Sequence, residues 1–126
     1  MVNASSPDGV ADQSIELLDH IADPDQAWPV IAAKYGVENP LPPWKTSLDG
    51  LCDALDIASC EMDDFGFTFK DRRDEEDELS ATRYQSLPYP ESQLVSLAHS
   101  LIARRVIGEA ELRQRLAVIR ARLEAE

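Results

Sequence analysis

The fold class is decided by residues 90–123, which read PESQLVSLAHSLIARRVIGEAELRQRLAVIRARL. In the first half of this stretch, apolar side chains recur at the spacing of one helix face: Leu94, Leu97, Ala98, Leu101 and Ile102. A second helix follows a break near Ile107-Gly108, and its apolar side chains have the 4-3-4 spacing of a short heptad seam: Leu112, Leu116, Ile119 and Leu123. The pattern predicts two helices packed together as an αα-hairpin.

Two further helices are predicted upstream of this hairpin. After Trp44, one helical face carries four apolar side chains: Leu48, Leu51, Cys52 and Leu55. Residues 59–64 are then predicted to form a polar loop. Thr68 and Asp71 make a capping-box pattern at the start of the next helix, which we expect to run through Leu79. No stretch alternates in the manner of a strand, so the predicted fold class is all-α.

Residues 1–43 are predicted to form an extended N-terminal arm with short helices, distinct from a helical domain at 44–126. One short helix contains Ile15 and Ile21, and a second is expected to open at Asp23-Pro24 and close at Gly36. Residues 39–43 (NPLPP) are too rich in proline for a helix and indicate a stiff connector. Because these elements are short and divided by prolines, we expect the arm to pack weakly alone and to wrap around a partner.

Composition limits the classes of partner. The 126 residues suffice for one compact domain. The net charge of −12 argues against nucleic acid and anionic membrane as partners. The acidic excess lies in residues 1–89, where it serves solubility or faces a basic partner; both interpretations stay open. Two cysteines, no apolar run of membrane-spanning length and no signal-peptide pattern at the start lead us to expect a cytoplasmic protein.

Few side chains offer chemistry of their own. Cys52 lies on an apolar stripe and is predicted to be a buried hydrophobe, whereas Cys60 in the predicted loop has no basic neighbour that would activate it. His20 and His99 are isolated, and His99 is predicted to be a hydrogen-bonded core or interface residue. The acidic run at 74–78 is typical of a solvated helix face. We therefore expect no metal site and no catalytic nucleophile in this chain.

Two consecutive arginines, Arg72 and Arg73, follow the capped helix start. They can pair with acidic residues one helical turn later, an interaction worth little at a surface. Alternatively, one of them points across an interface and binds an oxyanion with two parallel hydrogen bonds. Composition alone favours the first interpretation.

Several stretches, taken together, resemble the N-terminal helical region of the nitrile hydratase β subunit and the related thiocyanate hydrolase β subunit. These stretches are FTFKDRR (67–73), Tyr84 with PYPE (88–91) at fixed spacing, the helix with Leu94, Ala98 and Leu101, and VIGEAEL (106–112). The resemblance covers roughly residues 44–123. It departs from the family pattern where Arg105 stands for the usual glycine, Gly108 for a threonine or serine, and Pro90 for the second tyrosine of a pair.

The resemblance implies a role at a partner's metal centre. In this family a low-spin Co(III) or Fe(III) is held by partly oxidised cysteines of the α-type subunit, and β-subunit arginines grip those oxidised sulfurs. By position Arg73 matches such an arginine, with Arg72 as the neighbouring candidate, and Tyr84 and Tyr89 match aromatic residues near the substrate pocket. The chain itself would hold no cofactor, and a small nitrile would be hydrated to an amide at the subunit interface.

The family's C-terminal β-barrel has no counterpart in this sequence. The resemblance therefore implies either a separate β-barrel subunit or a different role. One alternative is the family's accessory protein, which assists metal loading of the α-type subunit. A helical interaction module unrelated to nitriles is the other alternative.

Overall fold

The computed structural model describes residues 9–22, 25, 27–62 and 64–125 of the chain. These residues contain a short 3-10 helix at Val10–Asp12 and six α-helices but no strand, so the predicted all-α class is confirmed. The α-helices are α1 (Glu16–Ile21), α2 (Trp28–Lys34), α3 (Lys45–Glu61), α4 (Phe69–Ala81), α5 (Glu91–Ala103) and α6 (Glu109–Leu123).

Local sequence explains where two helices begin. The predicted capping box starts α4: the Asp71 N–H donates to Thr68 Oγ1 (3.0 Å), and the Thr68 N–H donates to Asp71 Oδ2 (3.2 Å). α2 begins at Trp28 with Pro29 in its first turn, where the missing proline N–H has no helical partner to lose. The start of this helix is therefore later than the expected Asp23-Pro24, a pair that lies outside the described residues.

Two helices end in the same left-handed turn. After α2, Gly36 has a φ of 69°, and the Val37 N–H donates to Ala32 O at 2.8 Å, so the predicted closure at Gly36 is confirmed. After α5, Arg105 takes the equivalent position with a φ of 61°. A side chain with a Cβ is strained in that conformation, which glycine adopts freely.

The predicted polar loop at 59–64 is wrong over its first half, because α3 continues to Glu61. The Ser59 hydroxyl donates to Asp56 O at 2.9 Å and so bonds back onto the preceding turn. Cys60 is consequently an exposed residue of the last turns of α3. Asp63 lies outside the described residues.

The core consists of two clusters on different faces of α5. The first core cluster comprises Leu48, Cys52, Phe67, Leu97 and Leu101, with Trp44 and Ile107 packed against it. The second core cluster comprises Ile15, Leu18, Leu79, Tyr84 and Leu87, with Val95, Ala98 and Ile102 packed against it. α5 is thus the central helix, and its most extensive packing is with α4.

The N-terminal segment contributes to the second core cluster. Leu18 is 1% exposed and Val10 is 4% exposed, and the 3-10 helix contacts both α4 and α5. The core therefore crosses the boundary drawn between residues 1–43 and 44–126. Residues 1–8 lie outside the described residues, and wrapping around a partner stays a prediction.

α6 is present as predicted, but the αα-hairpin is not formed as a self-contained unit. Within the described chain, α6 buries none of its residues. The residues of its 4-3-4 apolar face become more exposed toward the C-terminal end, from 38% at Leu116 to 43% at Ile119 and 73% at Leu123. The start of α6 is attached to α1, because Glu109 Oε2 accepts a hydrogen bond from the Leu17 N–H at 2.9 Å.

Candidate functional site

Arg72 and Arg73 leave α4 in different directions, because consecutive helical residues are separated by about 100° around the axis. Arg72 is 8% exposed. Its Nε donates to Asp56 Oδ1 at 3.0 Å and its Nη2 to Asp56 Oδ2 at 2.9 Å, so guanidinium and carboxylate form a two-pronged pair between α4 and α3. Glu76 lies one turn further along α4 at 3.8 Å from Arg72 Nη1.

The pairing of Arg72 shapes the electrostatics around it. The hydrogen bond with Asp56 raises the pKa of Arg72 above its usual value, against the opposing effect of burial. Burial raises the pKa of Glu76, while the nearby charges of Arg72 and Arg73 oppose this shift. Burial also raises the pKa of the Cys52 thiol, while the positive charge of Arg72 opposes this rise. Arg72 is therefore engaged inside the chain, where it joins α3 to α4.

Arg73 is exposed, and within the described ranges no carboxylate lies within ion-pair distance of its guanidinium. Its Cζ lies 5.9 Å from the ring centroid of Phe69, one turn earlier on α4. The Phe69 ring is half exposed and also faces Arg72, whose Cζ is 5.4 Å from the centroid. The guanidinium of Arg73 makes a cation–π contact with the ring, and its N–H groups stay available to an incoming anion.

Tyr89 is also exposed, at 60%. Lys45 Nζ lies 5.3 Å from the centroid of the Tyr89 ring and is paired with Asp49. The hydrogen bond that Lys45 donates to Asp49, and then its interaction with Tyr89, raise the pKa of Lys45. The positive charges of both Lys45 and Arg73 oppose the rise in the pKa of Glu76. We call the exposed residues Phe69, Arg73 and Tyr89, together with Lys45, whose side chain is 12% exposed, the α4 face.

Tyr84 belongs to a different part of the molecule. It is 1% exposed within the second core cluster, and its hydroxyl lies 2.7 Å from His99 Nδ1. His99 Nε2 is 2.7 Å from Val10 O. Because a carbonyl only accepts, the neutral ring carries its proton on Nε2, and Nδ1 accepts from the Tyr84 hydroxyl. The prediction of a hydrogen-bonded core histidine is thereby confirmed.

Burial has opposite effects on the pKa values of this buried pair. It raises the pKa of Tyr84 strongly and lowers that of His99, because burial penalises the charged form of each group.

An open groove of about 560 Å³ reaches Tyr84 from outside, and its polar lining includes Asp12, Asp19 and Arg83. Neither Arg73 nor Tyr89 lines this groove.

The structure thus divides the four predicted site residues. Arg73 and Tyr89 are exposed on the α4 face, Arg72 is engaged with Asp56, and Tyr84 is enclosed in the core. Sequence reasoning missed Asp56 and Lys45. Asp56 pairs with Arg72, and Lys45 contacts Tyr89. These partners are far apart in the sequence, so no local spacing indicates the contacts. Among the described residues, no group of three His, Cys, Asp or Glu side chains is arranged to hold a metal ion.

Compared with known proteins, this chain matches no family model, no curated protein and no solved structure. Across the described part of the chain, no helix is both long and apolar enough to cross a membrane.

Proposed function

We propose that this chain is the β-type subunit of a nitrile hydratase-type enzyme, in which it completes an active site whose metal is held by an α-type partner. The observation that carries the proposal is the contrast between two adjacent arginines. Arg72 is neutralised by Asp56 inside the chain, whereas Arg73 presents its guanidinium on the α4 face. The resemblance assigns the sulfur-gripping role to Arg73, and this residue is the one whose donors are available.

The chemistry required of Arg73 is the recognition of an anionic oxygen pair. Oxidised cysteine sulfurs carry such oxygens, and a guanidinium offers two parallel N–H donors that match them. Such an outer contact would fix the orientation of the partner's metal ligands. The metal, when bound by the partner, supplies the Lewis acidity for adding water to the C≡N bond. The exposed ring of Tyr89 would line the interface for a small nitrile.

Tyr84 does not share this role in the proposal. Its hydroxyl is committed to His99 within the second core cluster, so we assign it to stabilising the subunit rather than to contact with substrate. This differs from the position-by-position expectation drawn from the resemblance.

The test is co-expression of the chain with the chains encoded beside it, followed by purification, metal analysis and a nitrile hydration assay. We expect a stable complex that contains cobalt or iron and forms amide. Arg73→Ala should assemble and retain metal but lose most of the activity. Arg73→Lys keeps the positive charge but lacks the planar, two-pronged guanidinium, so it should recover little of the activity.

Two controls separate catalysis from folding. Arg72→Ala breaks the pair with Asp56 and should lower the melting temperature of the isolated chain, whereas Arg73→Ala should leave that temperature nearly unchanged. A complex that dissociates after metal loading and leaves an active enzyme behind would identify the chain as the activator instead. Full activity in Arg73→Ala, or no metal-bearing partner, would refute the proposal.

A further inference from the structure

From Leu116 onward, the apolar seam of α6 is uncovered within the described chain, and its flanks have a single sign of charge. Leu112, Leu116, Ile119 and Leu123 take the d, a, d and a positions of a heptad. The neighbouring e positions are Arg113 and Arg120, and the g positions are Arg115 and Arg122. All four flanking positions are therefore arginine.

The four arginines differ in whether they form ion pairs along the helix. At the e positions, Arg113 lies 3.6 Å from Glu109 and Arg120 lies 3.4 Å from Glu124, both in exposed pairs along the same helix. Such surface pairs contribute little and exchange easily for a better partner. At the g positions, Arg115 and Arg122 have no carboxylate within ion-pair distance in the part of the chain that is described.

Charge argues against a second copy of this chain on the seam. In a parallel helix pair, g positions face e positions of the other helix, and in an antiparallel pair each faces its own kind. Either arrangement of two α6 helices brings arginine against arginine on both sides. Like charges at these positions select against self-pairing and in favour of an oppositely charged partner.

We propose that α6 docks a helix of a different protein chain, one with an apolar a/d seam flanked by aspartate or glutamate at its e and g positions. The apolar seam supplies the attraction, and the four arginines select the acidic partner over a basic one. This inference rests on α6 alone and not on the nitrile hydratase assignment, so either proposal can fail while the other stands.

The test is an NMR titration of the full, ¹⁵N-labelled chain with two designed peptides of about three heptads. Both peptides have leucine at every a and d position; one has glutamate at every e and g position, and the other has lysine. The acidic peptide should shift the amide signals of residues 109–123 and bind at least about tenfold more tightly than the basic one. Added salt should reduce this preference.

Variants connect the preference to the flanking positions. The pair Arg115→Glu and Arg122→Glu should favour the basic peptide, and Arg115→Gln with Arg122→Gln should reduce the difference without reversing it. As a matched control, Gln114→Glu with Ala121→Glu adds acidic charge at the f positions, away from the seam, and should leave the acidic peptide preferred. Amide chemical shifts of α6 verify that each variant keeps its helix.

Three outcomes would overturn the proposal. One is equal affinity for the two peptides, or no response of α6 to either. Another is a dimer of the chain, seen by analytical ultracentrifugation, that Leu116→Ser with Ile119→Ser dissociates, because the seam would then bind a second copy. The third is attachment of α6 to phosphatidylserine-containing vesicles without any response to the acidic peptide.

Discussion

The ion pair between Arg104 and Glu75 is the most deeply buried ion pair of the described chain. Replacing Arg104 tests how much this pair stabilises the fold. Its side chains are 0% and 11% exposed, Arg104 Nη1 donates to Glu75 Oε1 at 2.6 Å, and the second guanidinium nitrogen pairs with Oε2. The guanidinium also stacks on Phe67, with its Cζ 4.2 Å from the ring centroid. The pair links α4 to α5, the two most extensively packed helices.

We expect Arg104→Met to destabilise the fold by about 3–5 kcal/mol, the usual cost of removing one member of a buried pair. Methionine retains an apolar stem against Phe67, so the loss reports mainly the charge left on Glu75. For a chain of this size the change corresponds to a fall in melting temperature of roughly 10–20 °C. The double variant Glu75→Leu with Arg104→Met removes both charges and should recover all but about 1 kcal/mol of the loss.

Urea unfolding followed by far-ultraviolet circular dichroism measures these differences. Lys70→Met is the matched control, because Lys70 and Asp74 form a pair on the same helix α4 whose side chains are 82% and 61% exposed. This control should change stability very little. If Arg104→Met costs no more than Lys70→Met, or if the double variant is worse than the single one, burial does not determine the weight of this pair and the reasoning is refuted.

Three further predictions follow from individual residues. Arg105→Gly should stabilise the fold by about 1 kcal/mol, because glycine relieves the left-handed strain at φ 61°; a lower urea midpoint would contradict this. Burial holds the folded-state pKa of His99 below its ordinary value of 6.5. Below that pH the unfolded chain therefore binds more protons than the folded chain. The free energy of unfolding should fall as the pH drops from about 6.5 toward the folded-state pKa. His99→Gln should flatten this dependence in urea titrations, and an unchanged slope would exclude His99 as its source. A thiol-reactive dye should modify the exposed Cys60 quickly and the buried Cys52 slowly; Cys60→Ser should remove the fast phase, and a fast phase that persists in it would show that Cys52 is accessible.

Local signals in the sequence predicted local structure well. The capping box at Thr68 and the closure of α2 at Gly36 depend on residues close together in the chain, and both are present. Polar composition was misleading at 59–64, because serine and glutamate are tolerated in the exposed last turns of a helix. The start of α2 was predicted too early, at Asp23-Pro24, because either proline could occupy the first turn of this helix and Pro29 does so.

Long-range contacts were beyond the reach of these patterns. The heptad spacing of α6 correctly indicated an apolar face, but spacing carries no information on what covers that face. The same limit applies to the candidate site, where composition does not show which of Arg72 and Arg73 is paired inside the chain. Only the position of Asp56, on a separate helix, engages Arg72 and leaves Arg73 exposed.

The division of the core into two clusters determines what a spectroscopic unfolding experiment will observe. The sequence contains two tryptophans, Trp28 and Trp44. Trp44 packs against the first core cluster, and neither tryptophan belongs to the second. The emission of Trp44 will therefore follow the first cluster and that of Trp28 will follow α2, while loosening of the second cluster around Tyr84 goes largely unseen. Near-ultraviolet circular dichroism of the buried Tyr84 ring, recorded alongside emission, would reveal whether the two halves of the core separate in one step.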